Sequence, residues 1–256
     1  MDPHFSSRDT EMGKATEKRI AVVTGANKGI GLEIVKQLAS NGVMVLLTAR
    51  DEKRGNEAVE NLIKSGVSDV LFHQLDIADP ASVASLAEFI KWKFGKLDIL
   101  INNAGVGGAI FLPPEEIELM SCSEERSELF QNLTNEKIKK QLNDTNGISE
   151  EGLDKLLKSF LTDFKEGKVE ANGWPIGLSA YKVSKLAINA YTRIMSKKFP
   201  TICINSIHPG FVQTDLTGKL GLMTTEKGAK GPVMLALLPK DGPSGCFYDE
   251  MTISSF

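Results

Sequence analysis

The chain has 256 residues, 41% of them hydrophobic, and a formal net charge of -3 with a pI near 5.8. That length suits one α/β domain with a full core, and a near-neutral balance without a long basic block gives no footprint for nucleic acid or an anionic membrane, leaving small molecules as the expected partners. The three cysteines, Cys122, Cys203 and Cys246, show neither disulfide pairing numbers nor metal-ligand spacing, which suits a reducing compartment. Residues 1–17 are polar and mixed in charge, without the apolar core of a signal peptide, and no later apolar run reaches membrane-spanning length. They read as a disordered tail on a cytoplasmic protein.

The first element is the apolar run Ile20-Ala21-Val22-Val23, a strand buried on both faces. It runs into Thr24-Gly25-Ala26-Asn27-Lys28-Gly29-Ile30-Gly31 and then into a helical pattern from Leu32 to Leu38. Strand, glycine turn and helix in this order let the backbone turn sharply and bring helix amides close to a pyrophosphate. The apolar run from Gly42 to Arg50 predicts the second strand. Dinucleotide folds place an acidic group near this strand's end for the ribose 2'-hydroxyl. Here the position holds Arg50, and Lys28 lies in the glycine loop. Two cations suit a 2'-phosphate, so NADP(H) is expected rather than NAD(H).

Residues 52 to 65 predict a helix, and Asp69 to Leu75 a third strand that closes on Asp76-Ile77. Asp79-Pro80 is an N-cap with proline at the first helical position, opening a helix over 80 to 94. Leu97 to Ile101 reads as the fourth strand, ending in Asn102-Asn103-Ala104-Gly105. This alternation predicts an α/β fold with a doubly wound, mostly parallel sheet of Rossmann-like type. From Val106 to Ala180 no convincing strand appears. Ala109 to Leu112 is the nearest candidate, and Pro113-Pro114 ends it. Leu153, Leu156, Leu157, Phe160, Leu161 and Phe164 instead trace an amphipathic helix with Ser149 as N-cap, and a weaker helix spans about 135 to 142. Tyr181 and Lys185, four apart, share one face of the next helix. Thr201 to His208 predicts a strand ending at Pro209-Gly210-Phe211-Val212-Gln213-Thr214, and residues 241 to 248 a turn and final strand. His208 reads as a packed residue at a strand end.

The TGxxxGxG pattern at 24–31, the NNAG at 102–105, Tyr181-x-x-x-Lys185 and the Pro209-Gly210 turn with Thr214 together resemble the short-chain dehydrogenase/reductase family. Gly173-Trp174-Pro175 and Asp241-Gly242-Pro243-Ser244-Gly245 resemble its plant monomeric branch of terpenoid- and alkaloid-ketone reductases. The likeness spans about 18 to 105 and 177 to 256. It implies an NADP-dependent oxidoreductase acting on a small apolar carbonyl or alcohol, a monomer, with residues 18–256 as one reductase domain and a helical insertion at about 106–176. It also implies that Tyr181 is the proton donor and Lys185 its helper, and that both Tyr181 and Lys185 contact the cofactor, the lysine through the ribose. The glycine loop residues Gly25, Asn27, Lys28, Gly29, Ile30 and Gly31 would hold the cofactor together with Arg50, Asn103, Ala104 and Gly105. Asp76 and Ile77 would border the adenine, unless Asp76 merely caps a turn, and Pro209, Gly210, Val212 and Thr214 would lie beside the nicotinamide. Two of the family's motifs are absent: the Asn-bearing helix after NNAG and the interior strand ending in the catalytic serine, both expected near Phe130 to Asn132. An interior strand is therefore expected to be missing. The two strands that would flank it must pair with each other or stay open. A non-catalytic or unstable isoform is the alternative reading.

Overall fold

A computed structural model describes residues 18–106, 133–143 and 148–254. The tail at 1–17, the candidate strand at 109–112 and the place expected for the missing motifs lie outside them. Four strands, β1 (Ile20–Val23), β2 (Met44–Ala49), β3 (Val70–Gln74) and β4 (Ile99–Ile101), form an all-parallel sheet in the order β3-β2-β1-β4. Between them come helices α1 (Gly29–Ser40), α2 (Glu52–Lys64) and α3 (Pro80–Phe94). The central strands obey the period of two. Ala21, Val23, Val45 and Leu47 join one core cluster with residues of α1 and α2, whereas Ile20, Val22 and Leu46 join another with Leu86 and Ile90 of α3. Covering both faces is why these strands read as unbroken apolar runs, and each fully buried side chain of this kind is worth about 1.5 to 3 kcal/mol.

Local signals set the helix ends. Asp79 Oδ1 accepts a hydrogen bond from Ala81 N at 2.9 Å, with Pro80 at the first position, and α3 stops at Gly95 in the left-handed region. Asp51 caps α2 through Arg54 N at 2.9 Å. Between Val106 and Phe199 the described elements are helices: α4 (Glu136–Asn143), α5 (Glu150–Lys165, capped by Gly152 N donating to Ser149 Oγ at 3.1 Å) and α6 (Ser179–Lys198). These enclose a separate core of Leu133, Leu142, Leu153, Leu156, Phe160 and Trp174 with Val183, Leu186 and Ala190 of α6. Trp174 meets Phe160 edge-on at 5.2 Å and donates Nε1–H to Asp163 Oδ2 at 2.7 Å. Two members of the predicted stripe, Leu161 and Phe164, stay exposed.

The last region holds β5 (Ser206–His208), a short 3-10 turn at Asp215–Thr217, α7 (Thr225–Ala236), β6 (Phe247–Asp249) and β7 (Thr252–Ser254). β5 pairs parallel with β6, and β6 antiparallel with β7. The strand expected from Thr201 begins only at Ser206. Ile202 is exposed, and the polar groups just before the strand bond to the loop before β6: Ile204 N to Ser244 Oγ at 3.0 Å, and Asn205 Nδ2 to Pro243 O at 2.8 Å. Among the described residues β4 and β5 do not pair, so the strands divide into two sheets. Helix α7, which the sequence pattern did not announce, packs on α1 and reaches both sheets. Its Ala229 and Val233 enter the first core, whereas a Cβ at Gly231 would sit 2.2 Å from Glu250 O and 2.6 Å from Ile207 Cδ1 of the second sheet's region.

Candidate active site

The C-terminal ends of β1 to β4 share one edge of the parallel sheet, the edge at which open α/β sheets bind ligands. At the end of β1, Gly25 and Gly29 take φ of 60° and 61°, which glycine alone adopts readily. The loop is clamped to the segment after β4. Thr24 N donates to Ile101 O at 3.0 Å, Ala104 N to Thr24 Oγ1 at 2.9 Å, and Asn103 Nδ2 to Thr24 O at 2.9 Å and Gly25 O at 3.2 Å. A Cβ at Gly25 would lie 2.9 Å from Ala104 Cα, and one at Gly31 would lie 2.5 Å from Asn103 Nδ2. Asn103 thus holds the loop's shape through its side chain, while Gly105 stays exposed. No side chain caps α1 at Lys28, so the positive end of the helix faces outward uncapped, with Asn27 half-buried beside it. Ile30 packs its side chain on the core and has only its backbone to offer a ligand. A close-approach turn ahead of an uncapped helix start fits a pyrophosphate.

Arg50 is exposed at the end of β2, with its carbonyl taken by Gln74 Nε2 at 3.3 Å. Asp76, after β3, does make the local turn: its Oδ1 accepts from Ala78 N at 3.0 Å, and its own N–H donates to Ser82 Oγ at 3.0 Å. Ile77 is exposed next to it. From the other sheet, the 209–214 turn comes over the glycine loop, where a Cβ on Gly29 would touch Thr214 Cγ2 at 3.7 Å. Gly210 is buried at φ 87° after Pro209, and Val212 is buried against α7. Thr217 Oγ1 donates to Val212 O at 2.7 Å and accepts from Thr214 N at 3.1 Å, the second bond being one half of a reciprocal Thr214–Thr217 capping box that fixes the 3-10 turn. Lys28, expected to await a 2'-phosphate, instead pairs with Asp215 across this junction, Nζ to Oδ2 at 2.5 Å. His208 is only partly buried, Nδ1 lying 3.1 Å from Asp249 Oδ1 and 3.3 Å from Gly210 N.

Tyr181 and Lys185 lie one turn apart near the start of α6, which Leu178 enters in the left-handed conformation. Lys185 Nζ is 5.3 Å from the centre of the Tyr181 ring, a cation over an aromatic face. Burial pushes the Tyr181 phenol up and the Lys185 ammonium down. Both shifts have one cause, that the charged forms of the two groups lose water. Ser184 Oγ donates to Tyr181 O at 2.7 Å within the helix. The structure therefore brings the glycine loop, NNAG, Arg50, Asp76 and the Thr214 turn to one edge, and separately brings Tyr181 to Lys185 on a helix whose main packing is with α5, α4 and β5. Sequence reasoning missed Asp215. The signal available for it was the Thr214-x-x-Thr217 capping pattern, which announces a turn there.

The short chain dehydrogenase family matches residues 19–146. Short-chain dehydrogenase/reductase 1 of Saponaria officinalis is 44% identical over 292 residues, covering 94% of this chain and 97% of that protein. A (+)-neomenthol dehydrogenase of Arabidopsis thaliana is 43% identical over 291 residues, covering 93% and 98%. The solved structure of salutaridine reductase from Papaver somniferum matches with a TM-score of 0.81 at 39% identity, covering 91% of this chain and all of that one. An alignment of 292 positions exceeds the 256 residues of this chain, so at least 36 of its positions face no residue here.

Proposed function

The chain belongs to the short-chain dehydrogenase family, and from that premise we propose that it is an NADPH-dependent reductase, or in reverse a dehydrogenase, of small apolar carbonyl compounds of terpenoid or alkaloid kind. Membership makes it an oxidoreductase with a nicotinamide cofactor; the preference for NADPH and the substrate class are the proposal. The observation that carries it is the Tyr181–Lys185 pair on α6 in a chain whose glycine loop is stapled open by Asn103. The neomenthol dehydrogenase and salutaridine reductase it resembles act, by their names, on a terpenoid alcohol and an alkaloid. Arg50, exposed at the end of β2, supports the 2'-phosphate. We read residues 18–256 as one domain of a monomeric cytoplasmic enzyme.

The cofactor, when bound, supplies or accepts the hydride. The glycine loop and the uncapped start of α1 would hold its pyrophosphate, Arg50 and Lys28 its 2'-phosphate, and the 209–214 turn its nicotinamide end. Tyr181 holds the proton that the carbonyl oxygen receives. A phenol, with an ordinary pKa of about 10, carries its proton at neutral pH. Lys185 steadies the phenolate formed as that proton leaves.

A second reading has a specific observation behind it: among the described residues β4 and β5 belong to different sheets, and no strand lies between them. Without the serine of the missing strand, the substrate oxygen has one donor where the family has two, and loss of one such donor typically costs about 10² to 10³ in rate. The chain would then bind NADPH with little turnover. NADPH consumption by the full chain with menthone, run beside NADH and beside a complete family member, tests both readings. Turnover that depends on menthone and favours NADPH supports the reductase; NADPH binding without turnover supports the second reading; absence of nucleotide binding overturns both.

A further inference from the structure

Lys28 and Asp215 are 187 residues apart in sequence, yet their ion pair spans the glycine loop and the turn after Thr214. Asp215 is held for that contact. It opens a 3-10 turn whose two ends are locked by the Thr214–Thr217 capping box, followed by Gly218 and Lys219 both at positive φ, and its other oxygen lies 4.0 Å from Lys219 Nζ. The carboxylate is kept below its usual range by the hydrogen bond and charge of Lys28. Arg50, by contrast, is exposed at the end of β2. Of the two cations assigned to a 2'-phosphate, one already has a counter-ion supplied by the chain itself.

We infer that Asp215 is a specificity-determining residue for the cofactor: it holds Lys28 as a resident anion that a 2'-phosphate must displace, and so sets how strongly the protein prefers phosphorylated over unphosphorylated dinucleotide. The inference rests on the NADPH reading above. A dianionic phosphate makes stronger charge-assisted bonds than a single carboxylate, so the exchange runs toward the ligand. Both partners are more than half exposed, so the opposing ion pair is weak and its removal should be a modest effect.

The test is calorimetric titration of the full chain with 2',5'-ADP and with 5'-ADP, for the parent, Asp215→Asn and Asp215→Glu. Asp215→Asn is expected to tighten 2',5'-ADP by about two- to fivefold, the range an exposed ion pair spans, while leaving 5'-ADP unchanged, and Asp215→Glu to behave as the parent. Unchanged affinity for 2',5'-ADP in Asp215→Asn, or equal tightening of both ligands, overturns the inference while the NADPH reading stands. A parent that binds both ligands equally overturns the NADPH reading and this inference with it.

Discussion

In the four-stranded sheet, β1 is buried from end to end and β2 from Val45 to Ala49, whereas each strand of the second sheet is three residues long and only Ser206 and Tyr248 are buried. The first sheet has helices on both faces and two core clusters built on alternate residues of the same strands. The second depends on α7, which presents Gly231 to the Glu250 carbonyl. The proposed site is divided too. On the reading proposed above, the nucleotide side is the glycine loop, clamped by hydrogen bonds with Asn103 and Ala104, with Arg50 and Lys28 as its cations; the proton side is two ionisable side chains on a helix of a third core. Binding can therefore be built into the rigid region while chemistry depends on how the rest is placed against it.

The largest expected break in that comparison is Tyr181→Phe. Turnover should fall by about 10² to 10⁴, the usual worth of a positioned acid, with NADPH affinity unchanged by titration; equal loss of affinity would mean that the two halves of the site are one unit. Next is Leu46→Ala, at a side chain with no exposed surface between β1 and α3. It should cost about 2 to 5 kcal/mol in urea unfolding, against about 0.5 kcal/mol or less for Ile253→Ala on the exposed face of β7. Similar costs would erase the contrast between the sheets. Gly231→Ala should cost about 1 to 3 kcal/mol, since its Cβ would overlap the Glu250 carbonyl, and should do so by loosening the second sheet from α7. Amide exchange in β5 to β7 that accelerates while β1 and β2 stay protected is the expected pattern; uniform acceleration would show that both sheets open together.

The smallest effect is on pH. The folded state keeps the Tyr181 proton where the unfolded chain releases it, at about pH 10, so stability from this group is intact below that pH and declines above it. Lys185 acts oppositely: its folded-state value is lowered, the unfolded chain binds the extra proton, and stability rises with pH up to the ordinary lysine range. Tyr181→Phe should flatten the decline above pH 10, read from unfolding midpoints at stepped pH, and an unaltered slope would remove the buried phenol as its cause.

What could be read from the sequence was local. Ile20 to Val23 followed by the glycine loop, Asp79-Pro80 opening α3, and Ser149 ahead of the stripe on α5 each declare their conformation within a few residues, because periodicity and capping act over one or two turns. The same logic failed at α7, where Gly228, Gly231 and Pro232 depress the helical signal, yet the two glycines are what let Val212 and Glu250 approach. It overextended β5 toward Thr201, because the apolar run continues where the hydrogen bonds of Ile204 and Asn205 go to Ser244 and Pro243. The residue types of the candidate site, Lys28, Arg50, Asn103, Tyr181 and Lys185, are proposed from the chain alone. That Asn103 staples the loop, that Lys28 meets Asp215, and that burial rather than charge governs Tyr181 were decided by tertiary structure, since each depends on which distant atoms come within a few ångströms and how much water they exclude.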